Sequence, residues 1–238
     1  MLYSQTTPAK KRRAFRERLA TGELLRFPGA FNPLSARLIE RKGFEGVYIS
    51  GAVLSADLGL PDIGLTTLTE VAGRAKQVAR MTELPAIVDA DTGFGEPMNV
   101  ARTDIRALEG LGAAIDRAKQ LVDAGADAIF PEAMKDLSEF EAVASALDVP
   151  VLANMTEFGK SELFTAKQLH DAGAQLVIYP VTLLRIAMGA AERALEEISA
   201  SGTQDALVPQ MQTRARLYEL TDYAAYNHFD SNVFTYKP

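Results

Sequence analysis

The chain of 238 residues contains no cysteine, which excludes disulfide bonds, thiolate zinc sites and a cysteine nucleophile. It also has no apolar run close to the roughly 18 residues of a membrane span. The net charge of −6 disfavours a protein that binds nucleic acid by neutralising phosphates. A charge-rich stretch, Lys10–Leu19, lacks the apolar core of a signal peptide and is typical of a solvated first helix. These features predict a cytoplasmic protein that binds neither nucleic acid nor a membrane.

Short apolar runs alternate with helical patterns along the chain. The runs are continuous, as in strands that are covered on both faces of a parallel sheet. Helical patterns such as Pro33–Gly43 lie between them, so the sequence predicts βα units with right-handed crossovers. Six runs are found: Leu24–Asn32, Gly46–Ala52, Pro85–Asp91, Asp127–Ala133, Pro150–Met155 and Gln175–Val181.

The joints between helices and strands have similar sequences. Lys119–Pro131 resembles Lys167–Pro180, and both predict a helix that ends at Asp-Ala-Gly and a strand that ends at proline. Glu40–Gly51 follows the same plan. The glycine is expected to adopt the left-handed conformation that ends a helix. Repeat ancestry and convergence on suitable joint sequences both stay open.

Polar residues follow nearly every predicted strand, and this favours a barrel over an open sheet. Six strands fit a doubly wound sheet, whereas a (β/α)8 barrel has eight in about 250 residues. A barrel builds its active site from all strand ends at one rim, while an open sheet binds at one switch point. We therefore predict one α/β barrel domain over residues 1–238. The polar residues are Tyr48, Ser50, Asp89, Asp91, Glu132, Asn154, Thr156 and, a little later, Arg185.

Asp89 and Asp91 end the third run. Two residues apart on a strand, their side chains would leave the same face, with Cα atoms about 6.6 Å apart. Two carboxylates inside a barrel are costly without a cation, and oxygen ligands suit Mg²⁺ better than zinc. The pair therefore indicates a Mg²⁺ site. A helix cap at one aspartate and an arginine partner at the other are equally compatible with the sequence.

The other strand-end candidates also have structural interpretations. Tyr48 and Ser50 in "YISGA" could grip a carboxylate or form an ordinary turn. Asn154 and Thr156 could likewise be turn residues, and Glu132 could cap a helix.

Arginines and histidines elsewhere carry a weaker signal. Arg185 and Arg214 could be surface charges. His170 and His228 lie in polar helical contexts and are interpreted as structural or exposed. The sequence contains no Ser-His-Asp order, P-loop or dinucleotide fingerprint.

Several longer strings of the chain form a recognisable set. They are "YISGA", "LGLPDIGLTTLTEV", "VDADTGFGEPMNVAR", "ARTD", "EGLGAAIDRA", "ADAIFPEA", "LANMTEFGKSELFT", "LVIYPVTLLRIAMGAA" and "QMQTRARLYEL". Together they resemble the isocitrate lyase/phosphoenolpyruvate mutase superfamily and, within it, the methylisocitrate lyases, over nearly the whole chain. The resemblance implies a (β/α)8 barrel and a homotetramer whose C-terminal helices, here from about residue 203, are exchanged between subunits. It also implies Mg²⁺ and a small tricarboxylate substrate, 2-methylisocitrate, that is cleaved to pyruvate and succinate.

The resemblance also implies roles for individual residues. Asp89 and Asp91 match the magnesium ligands, and Tyr48, Arg102 and Glu132 match residues at the reacting groups, with Tyr48 as a candidate base or proton relay. Ala52 stands where a glycine is more usual. The implied substrate-binding set is Ser50, Gly51, Ala52, Asp62, Arg102, Glu132, Asn154, Thr156, Arg185 and Arg214.

The string "NVARTD", Asn99–Asp104, departs from the family pattern. In the family "NVAR" follows the third strand and "ARTD" ends the fifth, but here the two share Ala101 and Arg102. The fourth strand, most of the fifth and the loop with the general-acid cysteine are therefore expected to be missing near residues 100–103. The missing segment would be on the order of 60 residues, or two βα units.

Two explanations of this gap compete. The chain joins two pieces of a longer protein, or the gene carries an internal deletion. A barrel that lacks two interior strands would expose sheet edges and open its core, which favours the first. Two other functions also stay open: another carboxylate lyase, such as an isocitrate lyase or oxaloacetate decarboxylase, and a barrel that binds a dicarboxylate without catalysis.

Overall fold

A computed structural model describes residues 3–95 and 100–234 of the chain. Short parallel strands alternate with helices throughout this part, as the sequence predicts. The strands are β1 (Leu25–Pro28), β2 (Val47–Ile49), β3 (Ala86–Val88), β4 (Val100–Thr103), β5 (Ala128–Pro131), β6 (Leu152–Asn154) and β7 (Leu176–Tyr179). The helices are α1 (Pro8–Leu19), α2 (Pro33–Arg41), α3 (Gly51–Asp57), α4 (Leu68–Ala79), α5 (Arg106–Glu109), α6 (Leu111–Asp123), α7 (Leu137–Ser145), α8 (Ala166–Asp171), α9 (Thr182–Ser201), α10 (Arg214–Thr221) and α11 (Tyr223–Phe234).

The strands lie side by side in the order β3-β2-β1-β7-β6-β5-β4. Parallel pairing joins β2 to β3, β1 to β7, β7 to β6 and β4 to β5. Single bridges from Gly29 to Tyr48 and from Ile129 to Val151 connect these groups. The first strand is next to the last and the others follow in chain order, which is the arrangement of an α/β barrel rather than of a doubly wound sheet. Within the described ranges no pairing joins β3 to β4, so a seam separates these two strands.

One of the strands was missed by the count of apolar runs. Val100–Thr103 pairs with β5 along its whole length, which gives seven strands in the described ranges rather than six. Only Val100 and Ala101 are apolar in this strand, so it lacks the continuous run that identified the others. The count of six strands was therefore wrong by one. Asn99, where the fused string begins, lies outside the described residues.

Local sequence signals set the helix boundaries. Asn32 caps α2 by accepting a hydrogen bond from the Ser35 N–H at 2.8 Å, and Thr67 forms a capping box with Glu70 at the start of α4. Such caps satisfy amide groups that the first helical turn leaves without partners. The predicted left-handed glycines are confirmed: Gly43, Gly125 and Gly173 all have positive φ after a helix.

The interior of the barrel is filled by apolar side chains from the strands and is closed at one end by α1. Leu25, Leu152 and Leu176 are almost completely buried there. Phe15 of α1 packs edge-on against Phe27, with 5.5 Å between the ring centroids. The ammonium of Lys11 donates to the carbonyls of Ala79 and Thr82. The charge-rich first helix is therefore largely exposed, as expected, yet it also anchors the base of the barrel.

A cavity of about 560 Å³ lies at the seam between β3 and β4. Ala86 and Ile87 line one side, Val100 and Ala128 line the other, and Phe15 contributes from α1. Val88, at the end of β3, is 38% exposed. The two strands that face each other across the seam thus leave apolar surface uncovered.

No helix of the described residues is both long enough and apolar enough to span a membrane.

Candidate active site

Asp89 lies at the centre of a hydrogen-bond cluster at the carboxyl ends of β2 and β3. Its Oδ2 accepts from the Tyr48 hydroxyl and from the Gly51 N–H, each at 3.2 Å. Its Oδ1 accepts from the Asp91 N–H at 3.1 Å. The β2 and β3 strands are neighbours in the barrel, which places the turn at Gly51 beside the end of β3.

The acid pair is held by a turn and not by the strand that the sequence predicted. The strand ends at Val88, and Asp91 has a left-handed φ of +46°, a costly conformation for a residue with a Cβ. Its carboxylate is exposed and accepts a long hydrogen bond of 3.4 Å from the Thr66 hydroxyl. The expected strand geometry was wrong, but the two carboxylates still occupy one short turn at the rim.

Negative charge is concentrated around this turn. Desolvation and the charges of Asp89 and Asp91 raise the pKa of Asp62, while Arg102 acts in the opposite direction. Burial, the charge of Asp89 and the hydrogen bond to it raise the pKa of the Tyr48 phenol far above its ordinary value. Three carboxylates that share one region destabilise one another unless a cation is present.

The residues present fit a magnesium ion. Asp89 and Asp91 supply hard oxygen ligands, which suit Mg²⁺ with several retained waters. Gly51 leaves space for the carboxylate, because a Cβ at this position would lie 3.1 Å from Asp89 Oδ2. The described residues contain no group of three or more histidines or acids in metal-binding geometry. Asp89 and Asp91 would therefore be two ligands, and water or substrate oxygens would fill the other coordination positions of the ion.

A second cluster lies at the ends of β4, β5 and β6. Arg102 donates to both carboxylate oxygens of Asp104, at 3.0 and 2.7 Å, and its Nη2 lies 3.5 Å from Glu132 Oε2. The same Glu132 oxygen accepts from Asn154 Nδ2 at 3.2 Å. The structure therefore brings together three of the predicted residues, Arg102, Glu132 and Asn154.

Asn154 has one polar atom without a partner. Its Oδ1 is buried and accepts no hydrogen bond within the part of the chain that the structure describes. A buried acceptor without a donor costs about 1–3 kcal/mol, and such groups are rare in folded proteins. This oxygen is oriented by the contact of its own amide nitrogen with Glu132, so it is available to a donor from a ligand.

A third cluster joins the loop after β6 to the start of α9. Arg185 Nη1 donates to Thr156 Oγ1 at 3.3 Å, and also to the carbonyl of Glu157 at 2.9 Å and to its carboxylate at 2.7 Å. The second Glu157 carboxylate oxygen accepts from the Thr182 hydroxyl. Thr156 and Arg185, both predicted from the sequence, thus lie together. Glu157 connects the loop after β6 to the start of α9.

The remaining predicted residues differ in their relation to these clusters. Ser50 caps α3 through the Val53 N–H at 3.4 Å, and Ala52 follows Gly51 in the first turn of that helix. Arg214 begins α10 and is exposed, with no contact to the clusters among the described residues. His170 and His228 are exposed, as expected.

Three residues with a part in these clusters were missed by sequence reasoning: Thr66, Asp104 and Glu157. Asp104 is part of the "ARTD" string and Glu157 of "TEFG". Both strings contain residues that the resemblance assigns to the site, and this proximity in the sequence could have identified Asp104 and Glu157. Thr66 lies in a long loop, where the sequence gives no indication of which side chain turns inward.

Comparison with a family described as phosphoenolpyruvate phosphomutase gives matches over residues 15–114 and 98–199. The two stretches overlap at residues 98–114, the region of the fused string. Together they include all three clusters.

Relatives of known designation are similar along the whole chain. A protein designated probable 2-methylisocitrate lyase 2 of Corynebacterium glutamicum is 48% identical over 292 residues, which covers 98% of this chain and 95% of the relative. A 2-methylisocitrate lyase of Halalkalibacterium halodurans is 40% identical and covers 92% of each chain. The first alignment is longer than the 238 residues of this chain, so the relative contains several tens of residues that have no counterpart here.

Solved structures with the same fold include a 2,3-dimethylmalate lyase, with a TM-score of 0.84 at 22% identity over 97% of this chain and 100% of the other. A phosphonopyruvate hydrolase in complex with oxalate and Mg²⁺ has a TM-score of 0.83 at 21% identity, over 93% and 98% of the two chains. These similarities show that the chain shares the fold of these structures.

Proposed function

Since the chain belongs to the phosphoenolpyruvate phosphomutase family, we propose that it is a Mg²⁺-dependent carbon–carbon lyase that cleaves 2-methylisocitrate to pyruvate and succinate in propionate breakdown. The observation that carries this proposal is the 48% identity, over 98% of the chain, to a relative designated as a 2-methylisocitrate lyase. The three clusters supply the groups that such a reaction needs.

Asp89 and Asp91 would hold the metal ion. When bound there, Mg²⁺ supplies Lewis acidity toward the hydroxyl and carboxylate oxygens of the half that becomes pyruvate. The three hydrogen bonds to Asp89 fix the direction of its carboxylate. The phosphonopyruvate hydrolase complex with oxalate and Mg²⁺ supports a divalent ion at this rim by analogy of fold.

The turn after β2 would orient the pyruvate half. Ser50, Gly51 and Ala52 begin α3, and the first amides of a helix favour an anionic oxygen. Asp62 lies close enough to the acid pair for its pKa to be raised by it.

Tyr48 is the candidate base or proton relay for the substrate hydroxyl. The hydroxyl already donates to Asp89 at 3.2 Å. In the role of relay, Tyr48 would pass the proton of the substrate hydroxyl to solvent at the open rim. The electron pair of the hydroxyl oxygen then forms the pyruvate carbonyl as the C–C bond breaks, and the electron pair of that bond stays on the succinate half as an enediolate.

The clusters at β4 to β7 would bind the succinate half. Arg102 and Arg185 carry guanidinium groups that suit bidentate contacts with carboxylates. Glu132 accepts from Asn154 Nδ2 and so fixes the Asn154 amide at the edge of this subsite. Thr156 adds a hydroxyl beside Arg185. Protonation of the enediolate requires an acid, which the family resemblance assigns to a cysteine in the missing segment.

The missing segment would also complete the barrel. The edges of β3 and β4 that face each other are not paired within the described ranges, and a cavity lies between them. The family matches overlap at residues 98–114, and the alignment with the relative is longer than the chain. We therefore propose that the natural protein has on the order of 60 further residues at the seam, which supply the eighth strand and the active-site loop.

The exposed C-terminal helices support the proposal of a homotetramer. No residue of α9 is buried, and α10 carries Arg214 on an exposed surface. Exchange of the C-terminal helices between subunits would cover α9 and bring Arg214 to the substrate of a neighbouring subunit. Cytoplasmic localisation stays a prediction.

The function is tested by measuring pyruvate release with Mg²⁺ from 2-methylisocitrate, isocitrate and oxaloacetate. The proposal requires that 2-methylisocitrate is cleaved with the largest kcat/KM. A preference for another acid would indicate another lyase of the family. Binding of succinate without turnover of any acid by the full encoded chain would indicate a dicarboxylate-binding barrel.

A further inference from the structure

Glu157 links two elements at the rim. It follows β6 by three residues, in the loop that leads to α8. One carboxylate oxygen accepts from the Thr182 hydroxyl at the start of α9, and the other accepts from Arg185 Nη1 one helical turn later at 2.7 Å. A carboxylate that bridges Thr182 and Arg185 fixes the start of α9 relative to the end of β6.

The guanidinium of Arg185 lies over the Phe158 ring, 5.4 Å from its centroid, and its hydrogen bonds use one nitrogen. All three of its hydrogen bonds in the described part of the chain start from Nη1. Its Nε and Nη2 donate to no described residue, and the side chain is 38% exposed. The guanidinium is therefore anchored at one corner, while the opposite edge remains available for the two oxygens of a carboxylate.

We propose that Glu157 is a positioning residue that presents the Nε and Nη2 edge of Arg185 to a carboxylate of the succinate half of the substrate. This inference rests on the proposed function. It assigns to Glu157 a part in substrate affinity rather than in bond cleavage, since Glu157 contacts Arg185 and not the acid pair.

The charge of Glu157 is maintained at the pH of the reaction. Burial acts to raise its pKa, but the hydrogen bonds from Thr182 and Arg185 outweigh this effect, and the pKa of Glu157 is lowered. An ionised carboxylate opposite Nη1 makes a charge-assisted hydrogen bond, which is about twice as strong as a neutral one. The arginine is thus held in one rotamer before the substrate arrives, which reduces the entropy lost on binding.

The test is a double-mutant cycle on the full encoded chain with Glu157→Gln and Arg185→Met. Glutamine keeps the size and one acceptor of Glu157 but removes the charge. We expect Glu157→Gln to raise KM for 2-methylisocitrate about tenfold and to change kcat by less than about twofold. In the Arg185→Met background the same substitution should change KM by less than about twofold, because the residue it acts through is absent.

The matched control is Glu162→Gln, which removes an exposed charge from the same loop and should leave KM unchanged. An equal rise in KM with and without Arg185 would overturn the proposal, since Glu157 would then act on the fold alone. An unchanged KM in Glu157→Gln would overturn it as well.

Calorimetry with succinate separates this inference from the proposed function. If the wild-type chain cleaves no 2-methylisocitrate, the proposed function fails, but a roughly tenfold loss of succinate affinity in Glu157→Gln still supports the positioning role. Equal succinate affinity in wild type and variant, or no succinate binding by the wild type, contradicts it.

Discussion

Asp89 receives hydrogen bonds from a phenol, a backbone amide of the neighbouring turn and the amide of Asp91. Three donors fix the direction of the carboxylate and leave its remaining lone pairs for a ligand. The side chain is therefore oriented before a ligand binds, which is what a metal ligand at an open site requires.

Replacement of Asp89 by alanine is expected to abolish Mg²⁺-dependent pyruvate release, because one of the two oxygen ligands and the partner of Tyr48 are lost together. Calorimetry should show that the Mg²⁺ affinity falls in parallel. Asp171→Ala, which breaks an exposed ion pair with Lys167 on α8, is the control and should retain activity. Near-normal turnover of the Asp89 variant would refute the metal assignment.

Gly51 offers a finer change at the same site. In Gly51→Ala the new Cβ would lie 3.1 Å from Asp89 Oδ2, so the carboxylate must move by a few tenths of an ångström. We expect kcat/KM to fall about tenfold, since small displacements of reacting groups are costly, while the thermal midpoint changes little.

The matched control for Gly51 is Gly112→Ala in α6, where an added Cβ would meet nothing within 4 Å. This variant should retain full activity and gain about 0.5–1 kcal/mol of stability from the better helix propensity of alanine. Full activity in both alanine variants would show that the close approach at Gly51 is not needed for catalysis.

Residues at strand ends were the ones that sequence could identify. Tyr48 lies within β2 and Asn154 ends β6, while Asp89 and Glu132 directly follow β3 and β5. Parallel strands place their carboxyl ends at one rim. The left-handed turn at Asp91 was not predictable, because an aspartate with positive φ has no sequence signature of its own beyond a weak preference.

At the scale of elements, the segment before α1 is tied to the loop after α4 by one carboxylate. Glu83 accepts from the Ser4 hydroxyl at 2.8 Å, from the Gln5 N–H at 3.0 Å and from the Thr6 N–H at 3.1 Å. Partial burial acts to raise its pKa, but the bonds from Thr6, Ser4 and Gln5 dominate and lower the pKa of Glu83 to about 2.

The pH dependence of this tether follows from the lowered pKa. The folded state holds Glu83 ionised, so its contribution to stability is complete above the ordinary value of 4.5 and is lost as the pH falls toward 2. Glu83→Gln is expected to lower the free energy of unfolding by about 1 kcal/mol at pH 7, a value reduced for solvent exposure.

Urea unfolding at pH 7 and near pH 2 measures this difference between Glu83→Gln and wild type, which should be largest at pH 7 and close to zero at the acid end. Glu109→Gln, at an exposed position of α5, serves as the control at both pH values. A stability difference that is constant across the range would contradict a charge-dependent tether.

Helix boundaries have a local physical cause. Side chains such as Asn32 and Thr67 cap the first turn of a helix, and the left-handed glycine at Gly125 ends one, as predicted. Within the described ranges strand β4 pairs with β5, and its own residues carry little apolar signal. Its existence was therefore decided by tertiary pairing.

For the whole molecule, the alternation of strands with helices and the polar residues at strand ends predicted the barrel-like order of the strands. The seam between β3 and β4 was indicated only by the fused string "NVARTD".

If the natural protein contains a further segment at this seam, its intact mass will exceed 25.8 kDa by roughly 6–7 kDa, for on the order of 60 residues. Mass spectrometry of the protein from its native source measures this directly. A mass of 25.8 kDa would establish an internal deletion.

The long helix α9 carries the signal for assembly. Met188, Ala191, Leu195 and Ile198 recur at alternating spacings of three and four, which places them on one face. All four are exposed, Leu195 to 69%. An apolar stripe along such a helix is costly in water and is typical of an interface between subunits.

Leu195→Glu is accordingly expected to dissociate the proposed homotetramer, because it places a charge at the centre of this stripe. Sedimentation velocity of the full encoded chain should show a smaller species, with a lower thermal midpoint. Arg193→Glu, two residues away and so on the opposite face of α9, should leave the assembly intact. Since Arg214 would reach the substrate only across the interface, turnover should fall with dissociation in Leu195→Glu. A monomeric wild-type protein with full activity would contradict both the interface and the assigned role of Arg214.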